Sequence, residues 1–133
     1  MENEKYTVKV LEKQGTVTTK DIIKAKDISN TIALDRAVDD NNVLDIGKVI
    51  GYVKVEIFNP KSHDEKNYKK LVLICENEDG EKNYYSTGSE SFESAFIMLW
   101  EEVQELDEWW SVQVFKKPSK NYSGKGFLTC TLL

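Results

Sequence analysis

The sequence predicts a mainly β domain, a five-stranded Greek-key barrel with one amphipathic helix between its third and fourth strands. Three observations carry this reading. Apolar and polar residues alternate with period two over residues 48–58 and again near the C-terminus. Asp79-Gly80 marks a tight hairpin turn between two further strand-like stretches. One stretch, residues 90–106, changes to three- and four-residue apolar spacing. The 133 residues fit one domain, placed at 44–133, with residues 1–43 as an extension packed on the barrel.

The extension opens with YTVKVLE, which reads as a strand closed by Gln14-Gly15. ISNTIALDRAVDD then carries Ile28, Ile32, Leu34 and Val38, with Ser29 as a cap, and reads as a short helix. In the barrel, the first strand puts Val49, Gly51, Val53, Val55 and Ile57 on one face. Tyr52, Lys54, Glu56 and Phe58 take the other, a half-buried pattern. KKLVLICE, residues 69–76, is apolar on both faces and forms the second strand. The third follows the Asp79-Gly80 turn at residues 81–87, where Tyr84 and Tyr85 are adjacent, so one must point inward. The helix at 90–106 has Ser89 or Ser91 as its cap. Its apolar stripe is Phe92, Phe96, Leu99, Trp100, Val103 and Leu106, with Glu101, Glu102 and Glu105 mainly opposite. Trp110, Val112 and Val114 alternate with Ser111, Gln113 and Phe115 in the fourth strand, and GFLTCTLL forms the fifth.

Composition narrows the class. Hydrophobic residues are 40% and charged residues 31%, as in a globular domain rather than a disordered one. No apolar run approaches the roughly 20 residues that span a bilayer, so no membrane partner is expected. The opening MENEKYTVKV is acidic and polar where a signal peptide would be basic and then apolar, which predicts a cytoplasmic protein. Cys75, Cys130 and His63 supply too few ligands for a metal site, and neither a phosphate-cradling glycine loop nor a nucleophile motif occurs. The expectation is a protein without catalytic residues, metal or cofactor.

The net charge of −5 argues at first against a polyanionic partner, but the total hides its distribution. Residues 76–108 carry one basic and eleven acidic side chains. Residues 48–75 carry six basic and three acidic, and residues 109–133 carry four basic and none acidic. The two basic stretches contain two long polar loops, NPKSHDEKNY at 59–68 and KPSKNYSGKG at 117–126. Hairpin loops usually take two to five residues, and long loops on a scaffold commonly bind ligands.

Lysines and aromatics interleave on the first strand and around both loops. Tyr52, Lys54 and Phe58 share a strand face. Lys61, Lys66, Tyr68, Lys69 and Lys70 lie in and after the first loop, and Lys116, Lys117, Lys120, Tyr122, Lys125 and Phe127 in and around the second. Single-stranded nucleic acid needs this combination, because cations neutralise phosphates while rings stack on unpaired bases. Arg36 is the only arginine, which suits a sequence-tolerant binder rather than one reading guanine by bidentate contacts. The acidic turn Glu78-Asp79-Gly80-Glu81 must then point away from the groove.

The order of three strands, a helix and two strands is that of the oligonucleotide-binding barrel (OB-fold), whose loops between strands 1–2 and 4–5 flank its ligand. The stretches KVIGYVKVEIFN, ENEDGEKNYYSTGSESFESAF and VQVFKKPSKNYSGKGFLTCTLL resemble the small single-stranded DNA-binding proteins of phages and mobile elements of Gram-positive bacteria. The resemblance covers about residues 20–133. It implies protection of single-stranded DNA during replication and recombination, with replication or recombination proteins as further partners. It implies strand contacts at Tyr52, Lys54, Lys69, Tyr84, Lys117, Lys120, Tyr122 and Lys125. The ending TCTLL reads as a strand, so recruitment of partners through an acidic-tipped tail, as in cellular bacterial relatives, is not expected. A protein-interaction module binding a host factor through the acidic helix, and an RNA-binding barrel, are the competing expectations. An exposed barrel edge or the extension could pair two copies into a homodimer.

Overall fold

The computed structural model describes residues 7–26, 31–39, 42–58, 67–106, 108–118 and 126–132. The chain is mainly β, a curled, open sheet that forms a half-barrel. Its elements are β1 (Thr7–Gly15), α1 (Thr19–Lys26), β2 (Ile32–Ala33), α2 (Leu34–Ala37), β3 (Leu44–Phe58), β4 (Asn67–Glu76), β5 (Lys82–Thr87), α3 (Glu90–Val103), β6 (Val112–Pro118) and β7 (Gly126–Leu132). The strand order is β2-β5-β4-β3-β6-β7, and β1 lies off this path against β3.

The long strand β3 organises the sheet. One edge pairs antiparallel with β4 from Lys48 to Phe58. The other edge is divided. Its first residues, Leu44 to Gly47, pair with β6, and Gly51 to Phe58 pair with β1. A register shift between Val49 and Gly51 bends the strand and inverts its side-chain parity. Val49 therefore shares the inner core with Tyr52 instead of facing outward with Val53, Val55 and Ile57, which corrects the expected alternation.

Both faces of the sheet are covered, so β3 is not half-buried as its pattern suggested. The inner face holds Tyr52, Leu71, Leu73, Cys75, Tyr85, Val112, Val114 and Leu128 around α3. Helix α3 inserts Phe92, Phe96, Trp100 and Val103 among them. Ser89 caps the helix, its hydroxyl accepting from the Phe92 amide at 3.2 Å. Ser91 donates to the Leu128 carbonyl at 3.0 Å and ties the helix start to β7. The helix ends at Val103, three residues short of the expected Leu106, which is 45% exposed.

The outer face, Val53, Val55, Ile57, Val72 and Ile74, is covered by the N-terminal segment, with Ala25 of α1 buried against it and Val10 and Val17 beside it. Gly15 and Gly51 lie opposite each other in the β1–β3 ladder. A Cβ on Gly15 would fall 2.5 Å from the Ile50 carbonyl oxygen, and one on Gly51 would fall 2.7 Å from that of Gln14. Two missing side chains thus let the chain approach β3 closely just before α1. Of the expected helix in residues 28–40, residues 28–30 and 40 lie outside the described residues, and the rest holds the four-residue α2, preceded by the short β2 paired in parallel with β5.

Candidate nucleic-acid interface

The β6–β7 hairpin carries the first set of expected contacts. Lys117 lies directly opposite Phe127, and Phe115 opposite Thr129, so Phe115, Lys117 and Phe127 share one face. Lys117 is exposed and Phe127 is 37% exposed, leaving a cation and a ring side by side at the surface. Lys116 is opposite Leu128 on the other face and is half-buried. Lys120, Tyr122 and Lys125 lie outside the described residues, as does Lys61. The backbone of Phe58 pairs with Thr7 and Asn67, while its side chain lies outside the description.

The second set meets a different environment. Tyr52 is 4% exposed and packs edge-on against Phe96 at 5.5 Å and Trp100 at 5.7 Å between ring centroids. Its ring is a core ring and presents no face for a base, which corrects its expected role. Lys54 donates to the Glu93 carboxylate at 2.5 Å, so α3 does not keep all its glutamates away from this lysine. Glu12 faces Lys54 across the β1–β3 ladder, and Glu56 stands between Lys9 and Lys69. Lys54, Lys69, Lys70, Glu90, Glu93 and Met98 line a cleft of about 1030 Å³. Its cations stand beside carboxylates, so it holds little net positive charge.

Tyr84 is turned the other way. Its hydroxyl donates at 2.5 Å to Asp21 of α1, and Lys24 Nζ sits 5.6 Å from its ring centroid. Asp21 is fully buried and also accepts from the Thr18 amide at 2.8 Å and its hydroxyl at 3.0 Å, with Lys82 Nζ at 3.5 Å. Burial alone would raise the Asp21 carboxyl, but the bonds from Tyr84 and Thr18 and the charge of Lys82 outweigh it and hold it below its ordinary value. Burial, together with the neighbouring carboxylate, pushes Tyr84 up to about 12. These bonds make Tyr84 an anchor for α1.

The acidic hairpin turn lies elsewhere. Asn77 builds it, its side-chain oxygen accepting from the Asp79 and Glu81 amides at 2.9 Å each. Glu78 and Asp79 line a pocket of about 360 Å³ with Asp45, Tyr85 and Trp109, and neither Lys54 nor Lys117 lines it. Cys75 is buried, which pushes its thiol up, and burial raises Cys130 to about 12. Among the described residues no group of three or more His, Cys, Asp or Glu side chains could hold a metal ion. No helix among them is long and apolar enough to cross a membrane.

Sequence reasoning missed α1 and the lysines it carries, Lys20 and Lys24. The available signal was Thr18-x-x-Asp21. In the structure the Asp21 carboxylate accepts from the Thr18 amide, and the Thr18 hydroxyl accepts from the Asp21 amide at 3.3 Å. This reciprocal pair marks a helix start. No protein-family model, curated protein or solved structure matches this chain.

Proposed function

We propose that the chain is a sequence-tolerant single-stranded DNA-binding protein. In this reading β3, β4, β5, β6 and β7 are the five strands of an oligonucleotide-binding barrel, with α3 between the third and fourth. Support comes from the connectivity, because β6 returns to the first residues of β3 after the helix and β7 pairs back on β6. The observation that carries the reading is the exposed Lys117–Phe127 pair at the root of a loop that adds Lys120, Tyr122 and Lys125. A phosphate beside Lys117 places the adjoining base within reach of the Phe127 ring. Stacking of this kind accepts any base, because every base has a π face. Protection of single strands during replication and recombination of a phage or mobile element, in the cytoplasm, is the corresponding role.

Titration of a fluorescent dT oligonucleotide tests the site. Phe127→Ala removes one stacking platform and is expected to weaken binding by about 1–3 kcal/mol, roughly 5- to 150-fold. The loss should be similar for purine and pyrimidine strands. A loss confined to one base, or none, contradicts stacking at Phe127. Competition by RNA of the same sequence reports a barrel that reads the 2′-hydroxyl instead.

A further inference from the structure

The lysines that remain available for phosphate are not those of the α3 cleft. They gather on the opposite, outer side of the sheet, around and upon α1. The ladder places Lys13 opposite Val53 on the outer face, whereas Lys70, opposite Val55, reaches the α3 cleft. It also aligns Lys48, Glu76 and Lys82 in one row, beside Tyr84 on the same face. Lys20 and Lys24 project from α1, which roofs that face, and Lys13, Lys20, Lys24 and Lys82 are all exposed.

Against these lysines the same side presents Glu76, between Lys48 and Lys82, and Asp21, whose buried carboxylate is bonded to Tyr84 and Thr18 and lies 3.5 Å from Lys82 Nζ. On the inner side, Lys54 meets Glu93 and Glu12, and Lys9 and Lys69 flank Glu56. The sheet therefore separates an outer cationic side from an inner, charge-balanced one. Beneath α1 the surface is Val53, Val55, Val72 and Ile74, each with no exposed area, and aliphatic side chains offer no ring for a base. Displacing α1 would uncover this apolar strip and free the Tyr84 ring only by breaking the Tyr84–Asp21 bond and exposing the buried Asp21 carboxylate. With α1 held in place, its outer surface is what meets a ligand.

We propose that the outer surface of α1, with Lys20 and Lys24 at its centre and Lys13 and Lys82 beside it, tracks the sugar–phosphate backbone of the bound strand. Asp21 and Tyr84 act as positioning residues that hold α1 in place. This inference rests on the single-strand-binding reading above and assigns its main phosphate contacts to the N-terminal segment. Phosphates spaced along the strand meet a side on which lysines outnumber carboxylates, and released counterions favour the complex.

The test compares the full-length protein with Lys20→Gln/Lys24→Gln and with Lys54→Gln, each titrated with a dT oligonucleotide across a salt series. Both α1 lysines are exposed, and a thermal melt checks that each variant is folded. The double variant should lose about 1.4 from the slope of log K against log salt, since each phosphate-neutralising cation contributes about 0.7 on a single strand. Lys54→Gln should leave the slope unchanged. If the parent binds and the double variant keeps its slope, the α1 surface is not the phosphate track, although single-strand binding stands. An equal loss with Lys54→Gln contradicts the separation of the two faces. Failure of the parent to bind removes both this inference and the reading beneath it.

Discussion

Asp21 and Tyr84 stand 63 residues apart in the chain and 2.5 Å apart in the fold, and their bond has a pH signature. Asp21 is held below its ordinary value near 3.8. Its ionised form therefore stabilises the folded state above that value, and the contribution is lost as the pH falls through and below it. Tyr84 is raised from 10.0 to about 12, so its protonated form stabilises the fold fully below pH 10 and the contribution fades above it. Asp21→Asn should flatten the stability curve below pH 4 relative to the parent in urea melts at several pH values. A parallel acid limb would show that Asp21 contributes nothing. Tyr84→Phe leaves a buried carboxylate with fewer donors and should cost about 1–3 kcal/mol at neutral pH. Tyr52 makes the opposite case, because its ring belongs to the core. Tyr52→Ala should cost about 3–5 kcal/mol of stability, like other buried aromatic truncations.

At the scale of elements, the contact between β1 and β3 depends on two glycines. Gly15 has φ +79°, and a Cβ there would also lie 2.8 Å from Trp100 Cη2. Gly80 has φ +84° with nothing within 4 Å of its Cβ position. Gly80→Ala should cost only the left-handed backbone penalty, about 1–2 kcal/mol. Gly15→Ala adds a collision with backbone and should cost distinctly more. Equal shifts in denaturation midpoint would contradict the close crossing. The half-barrel strands and α3 were legible because their periods are long and clean and because Asp79-Gly80 marks its turn. Helix α1 was not legible, because it spans eight residues with only Ile22, Ile23 and Ala25 as apolar members. The covered outer face of β3 was equally hidden, since period-two alternation cannot say what lies above each face. The Lys54–Glu93 pair joins residues 39 apart, and no local pattern announces it. Within the candidate site, the sequence put Lys117 and Phe127 at the two ends of one loop, but their direct opposition needed the β6–β7 register, and Tyr52 was misplaced because alternation separates two faces without saying which one α3 buries.

For the whole molecule, the net charge of −5 misdescribes what a ligand meets. Eleven carboxylates fall within residues 76–108, many of them on the β4–β5 turn and α3, while the outer side of the sheet collects lysines. Fields of this kind act over roughly a Debye length, about 8–10 Å in physiological salt, so the local face governs encounter rather than the total. The most direct measurement is the affinity of the full-length protein for a dT oligonucleotide between about 50 and 200 mM salt. Contact by several lysines predicts a linear fall of log K with log salt, at a slope of about −0.7 for each phosphate neutralised. Absence of binding at about 50 mM, or an affinity that does not change across the series, would contradict single-strand binding through a cationic face.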